Sequence, residues 1–253
     1  MGVQNAGSVP LRRLLAGTLL VLAGLSYASW TLDGVLHSGL DPMHSMLSEL
    51  SSARMPDRMV YVVGDVVTGS CALVAALTLL APRRIVRNRI AVTAVAAVGV
   101  FGAATIADAL LPLECIPGRD ADCPAQPRGV IPQLHSLHAL TSSVAVSAMF
   151  VAMVAASLAA VRHADWPWMR RGGMLLFAVV VLATAWFLGA DRLGGDYRLG
   201  LAQRIQVTGM SLWTAYWGLA IIAWRPDPTP DASDPGAGSD AAGPEPVSGG
   251  TPS

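Results

Sequence analysis

IAVTAVAAVGVFGAATIADALLP, residues 90–112, carries one charged side chain, Asp108, in its whole length. As a helix rising about 1.5 Å per residue it reaches roughly 35 Å, enough to cross an apolar layer of about 30 Å. Working outward, comparable apolar runs occupy residues 14–32, 59–80, 137–161, 172–190 and 205–224. The reading is an all-α, polytopic membrane bundle of six transmembrane helices. Arg12 and Arg13 before the first run resemble a signal-peptide n-region, but no clear small-x-small cleavage site follows, so a retained first helix is expected.

Composition agrees. The chain is 53% hydrophobic and 13% charged, with mean hydropathy +0.50, whereas a soluble domain carries about 25% charged residues. Net charge is zero and there is no basic run suited to nucleic acid, so nucleic acid is not an expected partner; the lipid bilayer is. Every basic side chain is Arg, which we read as coding bias rather than chemistry.

The connections set the sidedness. Residues 82–89 hold four Arg in eight positions, and Arg162, Arg170 and Arg171 flank the later basic connection. With Arg12 and Arg13 these mark the cytoplasmic side under the positive-inside rule. The expected arrangement is a cytoplasmic segment over 1–11, a six-helix domain over 12–225 in the plasma membrane, and a cytoplasmic tail over 226–253. Both termini are then cytoplasmic. The tail is Pro, Gly, Ser, Ala and Asp with no aromatic residue, and is read as disordered. Trp166, Trp168 and Trp224 fall at the inner interface and Trp30 at the outer one, as an aromatic belt requires.

Residues 41–52 lie in the first external loop. Asp41-Pro42 is a helix-start signal, and Met43, Met46, Leu47 and Leu50 follow at i, i+3, i+4 and i+7. A short amphipathic helix, roughly 15–17 Å long and too short to span, is expected on the membrane surface. It is either a simple cap or a lid carrying His44, Ser48 and Glu49 over a polar cavity.

Other polar residues fall at the same outer level. Asp65 and Asp108 sit within spans, where carboxylates are costly and face a cavity or a partner. Glu114, His135 and His138 lie nearby, and Arg204 begins the last span with Trp213 deeper in it. His135 and His138, at i, i+3, have a spacing that lets two nitrogens bind one divalent metal, with a third ligand to come from His44, Glu49, Glu114, Asp65 or Asp108. Hydrogen-bonding or proton-transferring histidines are the alternatives. An ion pair of Arg204 with Asp65 or Asp108 is the plain structural reading of the acids. Cys115 and Cys123 share one external loop with seven residues between them, where a disulfide is expected. Cys71, inside a span, reads as a small packing residue.

Three elements, in this order, are similar to a bacterial integral membrane family called domain of unknown function 998: Leu47-Ser48-Glu49-Leu50; Pro112-Leu113-Glu114-Cys115 with His135-x-x-His138-Ala139; and Gly200-Leu201-Ala202-Gln203-Arg204-Ile205 with Trp213. The resemblance covers residues 14–224 and implies the same fold and topology. Glu114 stands where the family pattern has Asp, which keeps the charge and lengthens the reach. The resemblance implies no activity.

Three functional readings therefore stand side by side. One is an outer-leaflet, metal-assisted hydrolase of a lipid-like substrate, in which a bound metal generates a nucleophilic water. Its candidate catalytic residues are Ser48, Glu49, Asp65 and Asp108, with His135, His138 and Glu114 on the metal. The second is an ion- or proton-coupled transporter or sensor using Asp65, Asp108, Arg204 and Trp213, with a small-molecule ligand at the outer face. The third is an accessory protein whose polar face binds a neighbour.

Overall fold

A computed structural model describes residues 11–81, 88–123, 137–163, 166–193 and 196–224. The expectations for the 226–253 tail and for His135 lie outside these residues. The described chain is helical throughout its regular structure. Six helices of 17–26 residues carry it: α1 (Leu11–Tyr27), α4 (Arg58–Leu80), α5 (Arg89–Leu110), α6 (Leu137–Arg162), α7 (Gly172–Leu193) and α8 (Leu199–Ala223). Two short pieces, α2 (Asp33–Leu36) and α3 (Leu47–Leu50), lie between α1 and α4.

Among the described residues, α4, α5, α6 and α7 are long and apolar enough to cross a membrane. A fifth candidate is α1 continued through residues 29–36, bent by 41°. The remaining long helix, α8, carries Gln203, Arg204, Gln206, Thr208, Ser211 and Thr214. Arg204, Gln206, Ser211 and Thr214 are buried, so these four point into protein rather than outward. Leu77, Leu175 and Leu182, by contrast, are exposed. Apolar outer faces around a small-residue interior suit lipid better than water.

The helices associate as a row, α6–α5–α4–α1–α8–α7, whose two ends meet mainly through the 3₁₀ turn Pro167–Arg170. Close approach depends on missing side chains. A Cβ on Gly69 of α4 would stand 2.5 Å from the Gly102 carbonyl of α5, and one on Gly102 would stand 2.5 Å from the Gly69 carbonyl. Gly17 of α1 and Gly218 of α8 face each other in the same reciprocal way. Such small-residue contacts let helix backbones pack tightly where lipid offers no hydrophobic drive for association.

The end of the bundle bearing Arg12, Arg13 and Arg89 is closed by aromatics. Trp166 stacks edge-on against Trp217 at 5.1 Å and Trp224 at 6.2 Å. Arg13 donates to the Trp224 carbonyl at 2.8 Å and lies 5.0 Å over its ring. The polar residues singled out above gather at the opposite end.

One expectation is corrected here. Residues 41–52 do not form a continuous helix: 41–45 are turns, Met46 is extended at ψ 154°, and only Leu47–Leu50 is helical. The reason lies in hydrogen bonds that a helix would have used internally. The carbonyls of Pro42 and Ser45 accept from Arg204 Nη1, each at 2.7 Å. The Met43 carbonyl accepts from the Leu201 N–H at 3.3 Å, and the Leu47 N–H donates to Gln203 Oε1 at 2.7 Å. The start of α8 has captured the backbone of the loop. Correspondingly α8 begins at Leu199, six residues ahead of the expected start at 205.

Candidate functional site

The loop over 41–57 is held from three directions. Arg204, buried to 6% exposure, is the main anchor: its Nη1 also donates to the Gly200 carbonyl at 3.2 Å, and its Nη2 lies 3.4 Å from Ser45 Oγ. Guanidinium suits this task, because it presents several donors in a rigid plane and stays charged when buried. Its carbon centre lies 5.8 Å over the Trp30 ring. Gly200 makes room for the arrangement, since a Cβ there would stand 2.5 Å from the Ser45 carbonyl and 2.8 Å from that of Pro42.

The second hold comes from the disulfide loop. Cys115 and Cys123 are bonded, with Cα atoms 5.7 Å apart. The Leu113 carbonyl accepts from the Ala53 N–H at 2.8 Å and from Ser52 Oγ at 3.2 Å. Arg54 makes a two-pronged pair with Asp122 at 2.6 and 3.0 Å, which holds the Asp122 carboxyl below the usual carboxylate range. The third hold is His44, whose ring nitrogens contact Asp41 Oδ2 at 2.5 Å and Asp196 Oδ1 at 2.6 Å. The two carboxylates raise the imidazole pKa, Asp41 contributing most, and His44 in turn lowers both of theirs.

Beneath this loop is a cavity of about 120 Å³. Its wall includes Ser48 and Ser51 from the loop, Trp30, Tyr27 of α1, Tyr61 and Asp65 of α4, Thr105 and Asp108 of α5, Ser142 of α6, and Gln203 and Gln206 of α8. For scale, a cavity of about 150 Å³ accepts a benzene, so this one has room for roughly five heavy atoms or a few waters.

The two carboxylates in the wall differ. Asp108 Oδ1 accepts from Thr141 Oγ1 at 2.6 Å and Ser142 Oγ at 2.7 Å, and lies 3.2 Å from His138 Nδ1. Asp65 accepts no hydrogen bond from any described residue. Two donors in the wall are also unmatched: Trp30 Nε1 and Tyr61 Oη are buried without a hydrogen-bond partner among the described residues. Tyr61 is 4% exposed.

The sequence-chosen residues separate accordingly. Ser48, Asp65 and Asp108 converge on the cavity. Glu49 sits beside them on α3 without lining it, and burial pushes its carboxyl up. Arg204 makes no ion pair with Asp65 or Asp108 and instead grips loop carbonyls. Trp213 is fully buried in the core, 5.2 Å from Trp217, away from the cavity wall. His138 is turned to the Leu111 carbonyl at 2.9 Å and to Asp108. Glu114 is exposed on its loop. Among the described residues no three His, Cys, Asp or Glu side chains come together as a metal site. Trp30, Tyr61, Ser51, Gln203 and Gln206 were not among the sequence candidates. Tyr61 and Asp65 share a helix face at i, i+4, which is the one signal that linked Tyr61 to the acid.

These features define a helical protein of membrane type: several apolar helices of crossing length, with a small acidic cavity closed by a loop strapped to one polar helix. The family model described as Protein of unknown function (DUF998) matches residues 20–220, and the chain belongs to that family. No curated protein and no solved structure matches it.

Proposed function

We propose that this is a six-span plasma-membrane protein whose cavity binds a small cationic solute, as the recognition site of a transporter or sensor. The observation that carries the reading is Asp65, an intramembrane carboxylate at a cavity wall with no hydrogen-bond donor from the described chain, beside a second carboxylate, Asp108. Acids at such depth face ions, protons or cationic ligands. Tyr27, Trp30 and Tyr61 in the same wall add ring faces that attract cations.

Six spans follow if the α1 pair and α8 cross along with α4–α7. The arginine-bearing connections then lie in the cytoplasm with both termini, and the cavity and disulfide face outward. The hydrolase reading has less support. Among the described residues Ser48 has no imidazole partner, and His138 is engaged by Asp108 and a carbonyl rather than facing the cavity.

The test is calorimetric titration of the purified chain in phosphatidylcholine nanodiscs with sodium, potassium and small alkylammonium chlorides. The reading expects saturable binding of at least one cation in the native chain and loss of more than about tenfold in affinity in Asp65→Asn, one charged contact at a desolvated site. No saturable cation binding, or binding unchanged in both Asp65→Asn and Asp108→Asn, overturns it.

A further inference from the structure

Resting on the membrane topology proposed above, though not on the cation site, we infer that the cytoplasmic ends of α5 and α6 hold an anionic phospholipid, with one acyl chain in a groove between the helices and the phosphate on Arg89 and Arg162. The groove measures about 430 Å³ and shares no residue with the acidic cavity. Ile90 and Thr93 of α5 line it, with Phe150, Val151, Val154 and Leu158 of α6. Only Thr93 among these is polar, and its hydroxyl is spent within its own helix, donating to the Arg89 carbonyl at 3.0 Å. Val151, Val154 and Leu158 are exposed on the outside of the bundle. From Phe150 to Leu158 the groove runs about 12 Å at about 1.5 Å per residue, against about 15 Å for the hydrocarbon of one leaflet. On the scale where about 150 Å³ accepts a benzene, this groove accepts a length of acyl chain.

What selects an anionic headgroup is the register of the two arginines. Arg89 and Thr93 are four apart on α5, as are Leu158 and Arg162 on α6. Each arginine therefore stands one turn beyond the groove, on the groove's own helix face. α5 begins and α6 ends at this end of the bundle. Packed helices sit about 8–10 Å apart, a gap that two arginine side chains close around one phosphate. Both arginines are exposed, and neither is paired with a carboxylate among the described residues. Arg13, by contrast, is spent on the Trp224 carbonyl. Basic groups at the cytoplasmic boundary attract the anionic headgroups of that leaflet. A second copy of the chain is the other occupant an apolar groove could take, and the same arginines argue against it. A two-fold axis along the membrane normal packs the same patch of each copy at the same level, which sets Arg89 and Arg162 of one copy against those of the other.

The experiment is native mass spectrometry of the full chain, released from mild detergent containing equal amounts of dioleoylphosphatidylglycerol and dioleoylphosphatidylcholine. These lipids share their chains and differ in headgroup charge. The first lipid retained by the native chain is expected to be the anionic one by at least about tenfold, since each arginine near a membrane surface adds several-fold. In the double variant Arg89→Gln, Arg162→Gln the preference is expected to fall to within about twofold. The double variant Arg170→Gln, Arg171→Gln, which removes two exposed arginines at the same end of the bundle, is expected to keep it. Val154→Trp fills the groove and leaves both arginines, and is expected to reduce retained lipid about fivefold, the scale of one or two methylenes of lost apolar contact. Equal retention of the two lipids by the native chain, a preference that both arginine pairs reduce alike, or retention unchanged in Val154→Trp overturns the inference. So does a native dimer that Val154→Trp dissociates. Each of these outcomes leaves the Asp65 cation site standing, and loss of that site leaves this one standing.

Discussion

Arg204 holds Ser45 across 159 residues of chain: its Nη1 donates to the Ser45 carbonyl at 2.7 Å, and the same nitrogen reaches the Pro42 carbonyl at 2.7 Å. One buried guanidinium thus fixes the loop that covers the cavity. Arg204→Lys should be a poor replacement, since an ammonium lacks the planar fork. We expect a loss of about 2 kcal/mol, the scale of hydrogen bonds to a charged group. The check is thermal unfolding in detergent together with amide exchange at Leu47–Ser52. Unchanged exchange there would mean that the loop does not depend on Arg204.

Gly200→Ala tests the same clamp from the other side. The added methyl would meet two loop carbonyls at 2.5 and 2.8 Å, neither of which can swing away as a side-chain tip could. Overpacking of this kind costs about 1–3 kcal/mol. The expected signature is faster exchange at the loop in a protein whose helix content by circular dichroism is unaltered.

His44 makes the loop sensitive to pH. Its pKa is raised by Asp41 and Asp196, so the folded state holds this proton more strongly than the unfolded chain does. The contribution is fully present below the unfolded value of about 6.5 and disappears as pH rises through the folded value. The loop's protection factors, which divide out the base-catalysed rise of free amide exchange, should therefore fall on the alkaline side of about pH 6.5. His44→Ala should remove that dependence, and protection that does not change with pH in the native chain would contradict the assignment. All three groups are largely solvent-exposed, so the effect is local and weakened by salt.

Reduction of Cys115–Cys123 should loosen the second hold. Closing a loop this short constrains the unfolded chain by roughly 2–3 kcal/mol in the chain-entropy account. Cys115→Ser is expected to lower stability by up to that amount and to free Arg54 from Asp122, which proteolysis at Arg54 by trypsin would reveal.

Much of this fold was legible in the sequence, because twenty apolar residues in a row have few other uses. The long helices fell close to their expected bounds except at α1, which ends at Tyr27 rather than Leu32, and at α8, where Gln203 and Arg204 looked like loop residues and proved to be the buried start of a helix. The site was half legible. Asp65, Asp108 and Ser48 stood out as polar residues at one level of the bundle. The role of Arg204 did not, because its partners are backbone carbonyls, and a backbone carbonyl leaves no mark in a sequence. The same gap explains the helix expected over 41–52: the periodicity was present, but the hydrogen bonds went to α8. Trp30 looked like an ordinary interface aromatic and Tyr61 drew no notice, and only the folded structure puts both in the cavity wall.

The central claim, that a cation sits against Asp65, is tested most directly by carbodiimide labelling read out by peptide mass spectrometry. A hydrophobic carbodiimide should modify Asp65, which no described donor occupies, in preference to Asp108, which Thr141 and Ser142 hold. Saturating ethylammonium chloride should protect Asp65 from the reagent, while the same concentration of uncharged propanol, which offers the carboxylate no positive charge, should not. Protection specific to Asp65 is the predicted result. Labelling of Asp65 at the same rate with and without every small cation tried would contradict the account.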